Sequence, residues 1–155
     1  MKTVLIVDAD SGSTGLAETL QRRGYRGISA LNAREALAII QEGASVDLIV
    51  TEIQFPDMDG LHFLIALRAI APGVPIIVVT SSGSIESYLH AVNLGVYEYF
   101  NKPVPPKELI RIATIALAGP WTVPPVREAS CSAGHIIEPA LLLRSGAAES
   151  LERQR

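Results

Sequence analysis

Short aliphatic runs recur along the chain at intervals of roughly twenty-odd residues: TVLIV (3–7), YRGIS (25–29), DLIVT (47–51), PIIVV (75–79) and VYEYF (96–100). The first, third and fourth are apolar throughout, which suits parallel strands buried on both faces better than half-exposed antiparallel ones. Between the runs the apolar spacing changes to that of helices. Leu16, Leu20 and Arg23 share a face before Gly24, and Ala36, Leu37 and Ile40 follow Asn32, an N-cap type with Glu35 three positions on, as in a capping box. Leu61, Leu64, Ile65 and Arg68 follow Asp59; Ile85, Leu89 and Val92 follow Ser84 and stop at Gly95. Leu109, Ile112, Ala113 and Ala116 follow Pro105 and Pro106 and stop at Gly119.

Strict β-α alternation predicts a doubly wound α/β fold, because each crossover must return over the sheet and the helices then cover both faces. In the flavodoxin-like order 2-1-3-4-5, strands 1 and 3 lie side by side at the switch point, where side chains at the carboxyl ends of the strands converge on a crevice. Those positions hold Asp8, Glu52, Thr80 and Lys102. Two acids, a hydroxyl and an ammonium in one crevice form a candidate site.

Composition narrows the class. The 155 residues are 48% hydrophobic and 19% charged, as in a compact domain, and the 5% aromatic content makes the core aliphatic. No apolar run approaches the ~20 residues that cross a bilayer, and Met1-Lys2 leads into the first strand without a signal-peptide layout, so a cytoplasmic protein away from membranes is expected. One cysteine, Cys131, excludes an internal disulfide, and His62, His90 and His135 lack metal-ligand spacing. A net charge of −3 without a basic cluster argues against direct nucleic-acid binding. SGSTG (11–15) is only faintly similar to the glycine-rich phosphate loop expected after strand 1, which disfavours a small-ligand binder on this fold. The pattern places a domain over 1–118, a proline-rich linker over 119–127, and a tail over 128–155 that forms at most one short helix.

Three motifs taken together, VLIVDAD (4–10), DLIVTEIQFPDMDG (47–60) and YFNKPVPPKEL (99–109), resemble the receiver domain of bacterial two-component response regulators. The resemblance implies a signalling module, not an enzyme. It implies an acidic pair after strand 1 that helps hold Mg²⁺, a phosphoacceptor aspartate after strand 3, a switch hydroxyl after strand 4 and a Lys-Pro after strand 5. Position by position, Asp8 is the first acid, Thr80 the hydroxyl, Lys102 and Pro103 the Lys-Pro pair, and Tyr99 the switch aromatic. It also implies an output surface over helix 4, strand 5 and helix 5, where Tyr88, Lys107 and Arg111 are candidate anchors. A histidine kinase or a downstream effector is the implied partner, with a homodimer through the same surface a further option.

Two positions depart from that pattern. Ala9 stands where the second acid belongs and Glu52 where the acceptor aspartate belongs. Mg²⁺ is commonly held by one or two carboxylates plus substrate oxygens, so losing one leaves Asp8 to bind it weakly or not at all. Asp10 is one position late, and a one-residue offset in extended chain turns a side chain to the other face. Glu52 carries its carboxylate about 1.5 Å further out than aspartate, and in-line phosphoryl transfer tolerates such displacement badly. Two readings follow for Glu52: a solvated carboxylate filling a degenerate acceptor position, or a partial imitation of the phosphorylated state, with one negative charge against roughly −1.5 to −2 for a phosphoryl group. Lys102 is expected to pair with Glu52 or Asp8. The competing reading is a working receiver that uses another acid, such as Asp57, with Asp8 and Asp10 on Mg²⁺; for Asp57 and Asp59 turn and N-cap roles are the simpler expectation.

Overall fold

The structure, a computed structural model, describes residues 1–9 and 12–120. Asp10 and the proposed tail lie outside the described residues, as does all of the linker after Pro120. The elements run β1 (Thr3–Val7), α1 (Gly12–Arg22), β2 (Arg26–Ala30), α2 (Ala33–Gln41), β3 (Leu48–Thr51), α3 (Gly60–Ile70), β4 (Ile76–Thr80), α4 (Ile85–Asn93), β5 (Glu98–Asn101) and α5 (Pro106–Ala118). All strand pairs are parallel and the order is β2-β1-β3-β4-β5, the doubly wound arrangement that the alternation predicts.

The three uniformly apolar runs are the central strands. Every residue of β1, β3 and β4 is buried, whereas β2 and β5, the edges, are partly exposed. Alternate residues along one strand feed two different cores. Leu5, Val7, Ile49, Ile76 and Val78 pack with Phe63, Leu64 and Leu67 of α3, Ala33 and Ala36 of α2, and Ala91 of α4. Val4, Ile6, Leu48, Val50, Ile77 and Val79 pack with Leu20 of α1 and with Ile110, Ala113 and Leu117 of α5. Helices α2, α3 and α4 therefore cover one face, and α1 and α5 the other.

Helix starts follow the expected caps with one difference. The Asn32 side chain accepts from the Glu35 amide, but Glu35 Oε2 accepts from the Leu31 amide at 2.9 Å, one residue beyond the reciprocal partner of a capping box. Asp59 caps α3 and Ser84 caps α4, where Ser87 returns the bond to complete a capping box. Strands 2, 3 and 4 begin one residue, and strand 5 two residues, later than the runs that predict them, within the ordinary variation of element ends.

Glycine is required at the turn into α3. A Cβ on Gly60 would lie 2.2 Å from the Ile53 carbonyl oxygen, a backbone atom that has no side-chain freedom with which to yield. This close approach pins the β3–α3 loop, and with it Ile53 and Gln54, against the end of β3.

Candidate functional site

Four strand ends supply the site, as the topology dictates. Asp8 follows β1, its amide bonded to the Ala30 carbonyl, and Glu52 follows β3, its amide bonded to the Val7 carbonyl. Thr80 closes β4, and its carbonyl accepts from the Lys102 amide at 2.8 Å. The Lys102–Pro103 peptide is cis. Asp8, Glu52, Lys102 and Pro103 line one cleft of about 590 Å³ whose walls are otherwise largely apolar, including Leu16, Val50, Val79 and Leu109.

Glu52 is not solvated: it is 6% exposed, which corrects that reading of it. Its length takes the carboxylate off the strand end and into a set of donors. Oε1 accepts from the amides of Ile53 and Gln54 at 2.7 and 3.2 Å. Oε2 accepts from the Ser81 amide at 3.2 Å and lies 3.4 Å from Lys102 Nζ. Three backbone N–H groups and an ammonium replace the water that burial removes, the condition under which a buried carboxylate is tolerated. The Thr51 hydroxyl donates to the Glu52 carbonyl at 2.6 Å and steadies the same corner.

Lys102 pairs with both acids, its Nζ 3.0 Å from Asp8 Oδ2 as well as 3.4 Å from Glu52 Oε2. Burial opposes its charge, but the hydrogen bond and field of Asp8, with those of Glu52, outweigh burial and hold its pKa above the ordinary lysine value. Lys102 thus ties β1, β3 and β5 together at their carboxyl ends.

Thr80 is fully buried, and its hydroxyl oxygen accepts from the Ser82 amide at 3.3 Å, within its own loop. Tyr99 is half-buried on the α4 side. Its hydroxyl is 2.7 Å from Ser87 Oγ, and its ring meets Tyr88 edge-on with centroids 5.4 Å apart. A Cβ on Gly83 would fall 2.7 Å from the Tyr99 hydroxyl and 2.0 Å from Asn101 Oδ1, so the β4–α4 loop lies directly on these two β5 side chains. Tyr88 is exposed on α4, and Lys107 is exposed on α5. Arg111 is held along α5 by Glu108, at 3.1 Å through Nε and 2.5 Å through Nη2.

Asp57 is not part of this cleft. Its Oδ2 accepts from the Arg34 amide at 3.0 Å, at the start of α2, and Asp59 is the α3 cap. Asp59 therefore takes the cap role, whereas Asp57 reaches the start of α2.

The Mg²⁺ that the resemblance implies meets unsuitable donors here. One Asp8 oxygen faces an ammonium at 3.0 Å, both Glu52 oxygens already accept N–H bonds, and Ala9 brings no donor. Mg²⁺ requires near-octahedral oxygens, and a dication beside Lys102 would add repulsion. Among the described residues no group of three or more His, Cys, Asp or Glu could hold a metal ion. The described residues by themselves do not fit the ion, and Asp10 lies outside them.

Sequence reasoning missed Ser81 and Ser87. Ser81 contributes a backbone amide, which has no residue-type signal. Ser87 is legible in retrospect as the third position after the Ser84 cap. Arg68 also went unrecognised as a clamp: it donates to the carbonyls of Leu94, Val74 and Gly95 at 2.9, 2.6 and 2.7 Å. Burial lowers its pKa to about 10, still far above neutrality.

Comparison with known proteins agrees with this fold. A family model described as the response regulator receiver domain matches residues 4–114. The transcriptional regulatory protein GlrR of Escherichia coli (strain K12) is 31% identical over 102 residues, 65% of this chain and 23% of that protein's length. The chain thus spans about a quarter of such relatives. A CheY-like receiver domain protein from Methanospirillum hungatei JF-1 superposes with a TM-score of 0.71 at 33% identity, over 76% of this chain and 94% of that one. The beryllofluoride-activated NtrC4 receiver domain dimer superposes with a TM-score of 0.69 at 31% identity, over 76% and 97%.

Proposed function

Because the chain belongs to the response regulator receiver domain family, we propose that it is a receiver whose output does not depend on an aspartyl phosphorylation cycle. Residues 1–118 form the signalling unit, with 119–127 a linker to the tail at 128–155. The observation that carries the reading is the position of Glu52 Oε2, 3.2 Å from the Ser81 amide and 3.4 Å from Lys102 Nζ. The carboxylate joins β3 to the β4–α4 loop, so a negative charge built into the chain engages the groups grouped at these strand ends. An aspartate, shorter by about 1.5 Å, would draw back from the loop.

The chain reads as a cytoplasmic interaction module with no catalytic residue of its own. Output passes through α4, β5 and α5, where Tyr88, Lys107 and Arg111 are anchor types favoured at interfaces. The partner is a histidine kinase or an effector protein. The NtrC4 receiver forms a dimer, which supports a second copy of this chain as a further partner.

Intact mass after incubation with a small acyl-phosphate donor and Mg²⁺ tests the reading. An unchanged mass is expected. A stable gain of one phosphoryl group would overturn it in favour of a working receiver that uses another acid.

A further inference from the structure

The exposed apolar surface of the described residues is concentrated on one helix. Ile85, Tyr88, Leu89 and Val92 of α4 are 80%, 47%, 40% and 46% exposed, and they are four of the seven large apolar residues so exposed. Their spacing, i, i+3, i+4 and i+7, puts them on one side of the helix. Ala91, which flanks this stripe, is buried in the core. Apolar side chains scattered singly need no explanation, but a contiguous stripe marks a surface that something covers. The stripe also touches the site, since Tyr88 packs against Tyr99.

The same chain carries a matching segment. In the sequence after Pro120, the nine residues HIIEPALLL (135–143) hold six Ile, Leu or Ala, followed by Arg144 and then mostly polar or small residues.

Position and reach favour this occupant. A helix that links parallel strands runs back against them, so α4 finishes at the amino-terminal end of the sheet, and the Leu117 carbonyl near the end of α5 accepts from Lys2 Nζ, just before β1, at the same end. They cover opposite faces on either side of β5, an edge strand paired only with β4. The chain therefore leaves α5 one edge strand away from the last turn of α4. Fifteen residues, 121–135, precede Ile136; extended, they span up to about 50 Å, against a radius of gyration of about 14 Å for a domain of this size. Tethering also raises the local concentration of the segment to the order of millimolar, which a second copy in dilute solution does not match.

We propose that His135–Leu143 seats on the Ile85, Tyr88, Leu89 and Val92 stripe of its own chain and shields it until a partner displaces the segment. The inference takes from the proposed function only that α4 is the face a partner reads, and the position of the tail is tested with no partner present. Cys131, the single cysteine, lies five positions before Ile136 and accepts a nitroxide without any substitution. In the full ¹⁵N-labelled chain diluted with unlabelled chain, amides from Ile85 to Val92 should lose most of their intensity, and Leu141→Glu should restore it. Loss confined to α1 and α5, uniform loss or no loss would overturn the proposal. Loss seen only when unlabelled spin-tagged chain is mixed with untagged ¹⁵N chain would give the stripe to a second copy and overturn it too. If the tail is absent from α4 while acyl phosphate still leaves the mass unchanged, only this inference falls.

Discussion

Glu52 and Ser81 are joined across the boundary between β3 and the β4–α4 loop: the Ser81 amide donates to Glu52 Oε2 at 3.2 Å. The same oxygen lies 3.4 Å from Lys102 Nζ, so one carboxylate links the end of β3 to the β4–α4 loop and to the residue that follows β5. A charged acceptor of this kind contributes about 1.5 to 3 kcal/mol per bond, enough to bias a nearly balanced pair of loop arrangements but not a steep one.

Glu52→Gln keeps the length and removes the charge. Backbone NMR shifts should run from Ser81 through α4 to Lys102, with a loss of roughly 1 to 3 kcal/mol in urea unfolding. Shifts confined to Ile53 and Gln54 would show that the contact with Ser81 carries nothing to α4.

Restoring acceptor chemistry should need two changes. Glu52→Asp alone should give little phosphoryl uptake from an acyl phosphate, whereas Ala9→Asp with Glu52→Asp should restore Mg²⁺ binding and uptake together, more than the sum of the singles, because both carboxylates serve one metal. Full uptake by the single variant would show that Ala9 is not the defect.

The Lys102 ion pairs set a pH dependence at the alkaline end. Its folded pKa is raised above 10.5, so its contribution to stability is complete below the ordinary lysine range and is lost as pH rises through the folded value. Thermal unfolding from pH 8 to 11.5 should fall more steeply for the parent than for Lys102→Met. Parallel curves would mean that solvent screening removes the effect, since the Lys102 side chain is 25% exposed.

Arg68 bridges the end of α3 to two loops by three carbonyls. Arg68→Met keeps most of the packing and orphans those acceptors, for an expected cost of about 2 to 4 kcal/mol in urea unfolding. A cost below about 1 kcal/mol would mean that water replaces the guanidinium.

Gly60→Ala forces a Cβ onto the Ile53 carbonyl oxygen, while a Cβ on Gly73 meets nothing within 4 Å. The first should cost about 1 to 3 kcal/mol and shift the Ile53 and Gln54 amides that hold Glu52. Gly73→Ala should be close to neutral. Equal effects would refute the steric argument.

By itself the sequence determined the architecture. Apolar runs at 3–7, 47–51 and 75–79 suit strands covered on both faces, and the helical spacing between them supplies the covers. Given that topology, the residues after each strand had to approach one another, so Asp8, Glu52 and Lys102 were legible as neighbours, whereas Thr80 bonds within its own loop; the cap residues Asn32, Asp59 and Ser84 were legible from type and place. Three things were left to the tertiary structure. Glu52 could be read as solvated until the fold buried it and turned three backbone amides toward it, and an amide carries no mark in the sequence. Lys102 could have paired with either acid, and only the spacing of β1, β3 and β5 lets it hold both. Asp57, one acid among several in its loop, was drawn to the start of α2 by a contact with Arg34, 23 residues away in the chain. Periodicity reports which face a residue takes; which partner it finds there depends on distances that exist only after the chain has closed.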